Sequence, residues 1–365
     1  MTNRTLISYL VCLTDTVLCV KLAIFVPSFE TGGLSSLAKE LGLAAMAHDH
    51  EVIVITLYSS TTEPPKDLNV KNLNVSPPRF SLVKPLTATL RTIRAYFLLV
   101  RFRPDFVLCL DPSSSFVCIM SRFLGLRFKV LAFLSTPLAL LQKSDKTVIK
   151  HFYGHADRVI TPSLGSRLDI KTVNEKAKVT VIPNPYTKKS SVCAWPMSEM
   201  GNVYIIQYLG RLSAEKEVGH ILRIAAANRD LHFRISGDGP ERESLEAEIS
   251  TLGLSNVELT GWLDPSACLP NSTLLILPSK LEAFGIVIIE AWLHGLPVIA
   301  WSGADGPNEL ISKNGGGELV KDFEDLDEWA QKIRTLIHQP LSDSFITDVL
   351  EGYSSYKLID EWLEN

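Results

Sequence analysis

The chain lacks the signatures of several large protein classes. It has only six cysteines in 365 residues, Cys12, Cys19, Cys109, Cys118, Cys193 and Cys268, widely scattered and without a CxxC pair. A disulfide framework or zinc module is therefore not expected, and a reducing compartment suits these thiols. No GxxxxGK[ST] segment is present, which leaves P-loop ATP hydrolysis unsupported, and the first apolar strand is not followed by GxGxxG, which disfavours an NAD enzyme. His151 and His155, with Asp157 nearby, have the i, i+4 spacing of metal ligands, but HExxH and a third His or Cys at a standard offset are missing, so they read as a helix-end face. His48, Asp49, His50 and Glu51 stand where a helix must turn into a strand and read as a solvated connection. No repeat of solenoid length occurs, and no metal site is expected.

Long uninterrupted apolar runs are also absent. Leu6–Val20 is the nearest approach, but Asp15 between Thr14 and Thr16 interrupts it, and it is shorter than the roughly 20 apolar residues of a spanning helix. Residues 1–20 are therefore expected to be a leader before the first core strand, with a membrane-associating segment as the alternative. With 46% hydrophobic and 21% charged residues, 21 glycines and 20 prolines, the chain is neither disordered, collagen-like nor a coiled coil. Its length suits two domains. The net charge of −4 hides an asymmetry: residues 1–195 carry 24 basic and 13 acidic side chains, and residues 196–365 carry 12 and 27. Two bodies are implied, one of which meets something anionic.

From Leu22 onward, short apolar runs alternate with longer amphipathic ones, as in a parallel sheet covered by helices on both faces. LAIFV (22–26), VIVITL (52–57), FVLCL (106–110), VLAFL (130–134), RVIT (158–161) and VTVI (179–182) read as buried strands, with helical spacing over Leu34–Ala47 between the first two. A second series comprises YIIQYL from Tyr204, HFRIS (232–236), VELT (257–260), LLIL (274–277) and PVIA (297–300). The expected division is a leader over 1–20, a Rossmann-like domain over 21–190, a linker over 191–202, a second Rossmann-like domain over 203–345, and a C-terminal helix over 346–365 crossing back to the first domain. Two doubly wound domains imply a cleft with ligands beyond the carboxyl ends of the strands.

The strongest local signal is PSKLEAFGIVIIE (278–290), a buried strand running into a turn and an amphipathic helix. Gly285 lets the backbone approach a ligand, and the amides of the first helical turn favour an anion. Glu282 and Glu290 bracket that positive end and suit a ligand with a phosphate between two polyols. The same spacing also fits a helix-capping acid and a solvated charge.

With AWLHGLPVIAWSGADGPNELI (291–311) following, this segment resembles the retaining nucleotide-sugar glycosyltransferases of family 4, which have the two-domain GT-B architecture. PSFETGGLSSLAKEL (27–41), RPDFVLCLD (103–111), VTVIPNPY (179–186), YLGRLSAEKEVGHIL (208–222), ISGDGPERESLE (235–246) and VELTGWLD (257–264) fall in the family's order. The resemblance implies that Arg211 and Lys216 meet the donor diphosphate and offset charge on the departing nucleotide. It likewise implies that Glu290 holds the ribose hydroxyls, that Glu282 touches the transferred sugar, and that backbone amides of Phe284, Gly285 and Ile286 complete the grip. Gly32 and Gly33 match the loop brought up to the phosphates on closure, with a ligand-free tight turn as the alternative. Gly237 and Gly239 form a turn near the base, and Trp262 reads either as backbone presented to the base or as a half-buried packing residue.

Two departures from the family pattern stand out. Glu217 occupies the place of a usual glycine after Lys216, and VLAFLSTPLAL (130–140) lacks the histidine that many members carry. Asp111 is the polar group expected nearest the reacting acceptor, with a cap for the SSSF turn as its other reading.

The basic first half is concentrated in 83–105 and 121–129. There Arg91, Arg94, Arg101 and Arg103 are interleaved with Leu90, Ile93, Tyr96, Phe97 and Leu98, a composition fitting an anionic membrane surface or a buried helix with a basic edge. Nucleic acid binding lacks a companion motif.

Taken together, the resemblance implies a retaining hexosyltransferase of class EC 2.4 that needs no cofactor. It would use a nucleotide-sugar donor, UDP-sugar over GDP-sugar, and a saccharide or lipid-linked acceptor. The expected setting is bacterial lipopolysaccharide core, O-antigen or capsule assembly, in the cytoplasm or on the inner face of the membrane. A same-fold epimerase, a sugar phosphorylase and a non-catalytic scaffold are the alternatives.

Overall fold

The computed structural model describes residues 19–29, 33–58, 64–75, 84–186 and 204–364. Gly32, the 191–202 linker and residues 1–18 of the leader lie outside them. The chain forms two compact units, one of Met1–Ala132 with His155–Asp157, the other of Phe133–Gly154 with Arg158–Glu364.

Seven strands make the first sheet: β1 (Lys21–Val26), β2 (Glu51–Thr56), β3 (Val70–Asn72), β4 (Phe106–Cys109), β5 (Lys129–Phe133), β6 (Arg158–Thr161) and β7 (Val179–Val181). Their order is β3-β2-β1-β4-β5-β6-β7, and the pairings from β3 to β5 and between β6 and β7 are parallel. The second sheet has β8 (Ile205–Leu209), β9 (His232–Ser236), β10 (Val257–Gly261), β11 (Leu274–Leu277), β12 (Val298–Trp301) and β13 (Gly317–Val320), ordered β10-β9-β8-β11-β12-β13 and parallel throughout. This is the expected α/β class with two Rossmann-like sheets. Strands such as β4 (FVLC) and β11 (LLIL) are buried along their whole length, because helices cover both faces and leave no solvent side to alternate with.

The sequence reading missed β3 and β13. β3 is a three-residue edge strand of mixed burial, and β13 is partly exposed behind two left-handed glycines, Gly315 and Gly316. Neither carries a long apolar run.

In the second unit the fully buried Trp292, Trp329, Trp362 and Tyr208 anchor the core. The last helix, Ser355–Leu363, sets Trp362 against Phe133 with ring centroids 5.1 Å apart. Arg158 donates to the carbonyls of Glu361 (2.6 Å) and Trp362 (2.5 Å), satisfying groups that a helix end leaves open.

Candidate functional site

In the second sheet β8 has β9 on one side and β11 on the other, so successive connections leave in opposite directions from a switch point between β8 and β11. Ligands of open α/β sheets bind beyond the strands' carboxyl ends at such a point. The two loops leaving there are 210–217 and 278–285, and they carry Arg211, Lys216 and Glu282.

Backbone contact shapes the first loop. A Cβ at Gly237 would lie 1.8 Å from the Gly210 carbonyl oxygen, and one at Gly239 2.2 Å from that of Leu212. Only glycine permits this approach. The amide of Leu212 donates to the Asp238 carbonyl (2.9 Å) and that of Glu241 to Leu212 (3.1 Å). The two glycines thus support the Arg211 loop from beneath. A short 3-10 turn, Ala214–Lys216, then delivers Lys216.

Lys216 and Glu282 meet, with Nζ 2.5 Å from Oε2 and both side chains largely buried. A charge-assisted bond of this kind is among the stronger hydrogen bonds. Glu282 is not the helix cap that one reading suggested. Gly285 takes the cap position of helix Ile286–Leu293 at φ 86°, and no side chain caps that helix. The Ile288 amide donates to the Gly285 carbonyl (2.9 Å), and the helix start before it, without a side-chain cap, favours an anion. Phe284 is buried, Ile286 is partly exposed, and Glu290, the helix's fifth residue, is half-buried and within electrostatic reach of Cys268.

The second loop is held on both sides. The Glu215 carbonyl accepts from the Lys280 amide (3.0 Å), and the Glu282 carbonyl accepts from the Gly306 amide (3.0 Å). Burial opposes ionisation of the Glu215 carboxyl, but the Ser213 hydroxyl, its own amide, Lys216 and Arg211 outweigh it and bring its pKa below the ordinary value. Arg211 itself is exposed. Burial, then the charges of Glu282, Glu215 and Glu241, push the Tyr208 phenol well up, so it stays protonated and donates to the Arg211 carbonyl (2.9 Å).

Trp262 follows edge strand β10 and is 62% exposed, so the half-buried packing reading fails. Gly261 before it adopts φ 78°, which turns the chain outward at the strand's end. The Glu309 carboxylate accepts at 2.7 and 3.0 Å from the amide of Leu164, 145 positions away in sequence, and so joins the N-cap Ser163 at the start of helix Leu164–Val173. Nothing in the local sequence signals that contact.

In the first unit Asp111 is the N-cap of helix Pro112–Phe123 and accepts from the amides of Ser113 (3.0 Å) and Ser114 (3.3 Å). Gly33 opens helix Gly33–Ala47 with open space where a side chain would stand. Asp157 pairs with Arg122, and His155 lies edge-on to Phe123 at 5.2 Å. Among the described residues no cluster of three or more His, Cys, Asp or Glu is placed to hold a metal ion.

Helix Lys84–Phe102 contains no acidic residue. It exposes Leu86, Leu90, Ile93, Phe97 and Val100, spaced alternately four and three apart, with Phe97 67% exposed. Arg91 departs from the expected basic face: it is only 6% exposed, with its guanidinium 4.4 Å from the Tyr58 ring centre. Arg94 is exposed and donates to the carbonyls of Leu73 and Asn74. Among the described residues no helix is long and apolar enough to cross a membrane.

Residues 31–187 match the family model of glycosyltransferase family 4, and residues 198–348 match that of glycosyl transferases group 1. The chain is 35% identical over 144 residues to the alpha-D-kanosaminyltransferase of Streptomyces kanamyceticus, covering 37% of each protein. It is 25% identical over 244 residues to the lipopolysaccharide core biosynthesis glycosyltransferase LpsE of Rhizobium meliloti, covering 65% of this chain and 66% of that one. It thus spans less than two thirds of the length of either relative. Anabaena HepE, solved in complex with UDP and glucose, shares the fold with a TM-score of 0.74 at 20% identity, covering 94% of this chain and 98% of that one. With both models matched in order along a GT-B fold, the chain belongs to the glycosyltransferases of family 4 and group 1.

Proposed function

We propose that this chain is a retaining hexosyltransferase that moves a sugar from a nucleoside diphosphate donor, UDP in preference to GDP, to a saccharide or lipid-linked saccharide. The Lys216–Glu282 pair at the β8/β11 switch point, beside an uncapped helix start, is the observation that carries the reading. In the reaction the bond from the anomeric carbon to the diphosphate oxygen breaks, and its electron pair leaves with the nucleoside diphosphate. The acceptor hydroxyl oxygen bonds to that carbon, and its proton passes to a phosphate oxygen. Arg211, Lys216 and the first amides of helix Ile286–Leu293 balance the charge that grows on the leaving group, and they need no metal for that task. Glu282 faces the sugar, Glu290 the ribose, and Trp262 with the Gly237 turn lies on the side of the base. Asp111 belongs to the acceptor side.

The LpsE relative supports a place in bacterial cell-surface polysaccharide assembly, and the UDP bound by HepE supports the donor base. The exposed stripe Leu86–Val100 on an acid-free helix supports peripheral contact with an anionic membrane on its cytoplasmic face.

The test is release of UDP from UDP-glucose, UDP-galactose or UDP-N-acetylglucosamine in the presence of lipopolysaccharide core oligosaccharides. Acceptor-dependent release separates transfer from epimerisation and phosphorolysis. Lys216→Ala and Glu282→Ala should each lower it by about 100-fold or more, and unchanged rates would defeat the site assignment.

A further inference from the structure

Two residues with no assigned role join the loops that hold the site. Loop 210–217 gives Lys216 to Glu282, and loop 278–285 gives Lys280 back to Glu217, with Nζ 2.8 Å from Oε1. Each loop thus supplies one cation and one anion, and the two links run in opposite directions. The ammonium of Lys280 also lies 4.5 Å from the centre of the Phe323 ring.

Glu217 holds φ 51° and ψ 40°, the left-handed region in which a residue with a Cβ is strained. Glycine would take this conformation freely. The chain instead carries a carboxylate there, and that carboxylate has a partner on the opposite loop. Glu217 also stands in acidic company, since its charge and that of Glu215 both act on Glu241. Lys280 therefore links the loops and neutralises the acid next in sequence to Lys216.

A diphosphate competes with the Glu282 carboxylate for the Lys216 ammonium, whose Nζ lies 2.5 Å from Oε2. When an anionic ligand draws it away, one of the two side-chain links opens. The other does not depend on Lys216.

We infer that Glu217 and Lys280 form a positioning pair for the donor site, holding loop 210–217 against loop 278–285 while Lys216 turns from Glu282 to the diphosphate. This rests on the nucleotide-sugar reading of the same loops.

The experiment is calorimetric titration of the full chain with UDP and with GDP. Lys280→Met keeps the aliphatic stem and removes the charge. It should weaken UDP binding by about 5- to 10-fold, a value inside the range of coupling between contacting charges. Exchanging the pair, Glu217→Lys with Lys280→Glu, should restore affinity to within about twofold, a rescue that a general structural role would not produce. Lys280→Met binding UDP as the unaltered chain does overturns the inference, and so does an exchanged pair as weak as Lys280→Met. No heat from the unaltered chain with either nucleotide overturns the nucleotide-sugar reading, and the inference falls with it.

Discussion

His220 gives the fold a defined sensitivity to acid. It lies in helix Val218–Ala227, next to the Lys216 loop, and is only 1% exposed. Its ring centre lies 4.2 Å from that of Phe323, tilted against it, and 5.4 Å from that of Trp329, edge-on. Arg223 approaches Nδ1 at 2.6 Å, and as an obligate donor it places the imidazole proton on Nε2. Burial, then the Arg223 charge, lower the pKa to about 4 from an ordinary 6.5. The unfolded chain therefore binds more protons than the folded one between those values, so stability is complete above about pH 6.5 and is lost as pH falls toward 4. At 1.36 kcal/mol per pH unit the loss is about 3 kcal/mol, a large part of a typical domain's stability. Urea unfolding from about pH 7 to pH 4 measures it, with His220→Phe as the reference because a phenyl ring fits the same aromatic setting and does not titrate. Titrating groups that do not interact with His220 cancel in the difference between the two curves. The difference should grow by about 3 kcal/mol across that window. Parallel curves would refute a neutral buried imidazole.

Two further outcomes are expected. Phe97→Asp combined with Arg101→Glu should release the protein from vesicles containing anionic lipid while leaving it bound to none of the neutral ones, and equal sedimentation before and after would remove the membrane contact. Gly285→Ala forces a Cβ into φ 86°, with Ile288 Cδ1 only 3.1 Å away, and should cost about 1–2 kcal/mol in thermal or urea unfolding, whereas an unchanged midpoint would mean that the turn relaxes freely.

The parts of this molecule written in short apolar runs were legible from sequence. LLIL became β11 with the expected bounds, because a strand buried on both faces must be apolar throughout, and HFRIS became β9 through its buried Phe233 and Ile235 although His232 is exposed and Arg234 only partly buried. The Glu282 turn was legible through Gly285, whose left-handed backbone marks a helix start of special shape. Contacts between segments distant in sequence were not. The Glu217–Lys280 pair, the Glu309 bond to Leu164 and the inward turn of Arg91 depend on which loops the topology brings together. Trp262 misled because an indole ordinarily packs, and only the edge position of β10 leaves it outside. Gly237 and Gly239 were legible as a turn after β9, but not the close approach of the Gly210 and Leu212 main chain that they admit.

That main-chain support has a practical consequence. Because carbonyls and amides at Gly210, Leu212 and Asp238 set the path of the loop, the side chain at Arg211 can be exchanged without moving its neighbours. Libraries that vary position 211 on a fixed Gly237/Gly239 seat would therefore probe the part of that cation alone, one substitution at a time, whereas randomising either glycine would collapse the scaffold that presents it.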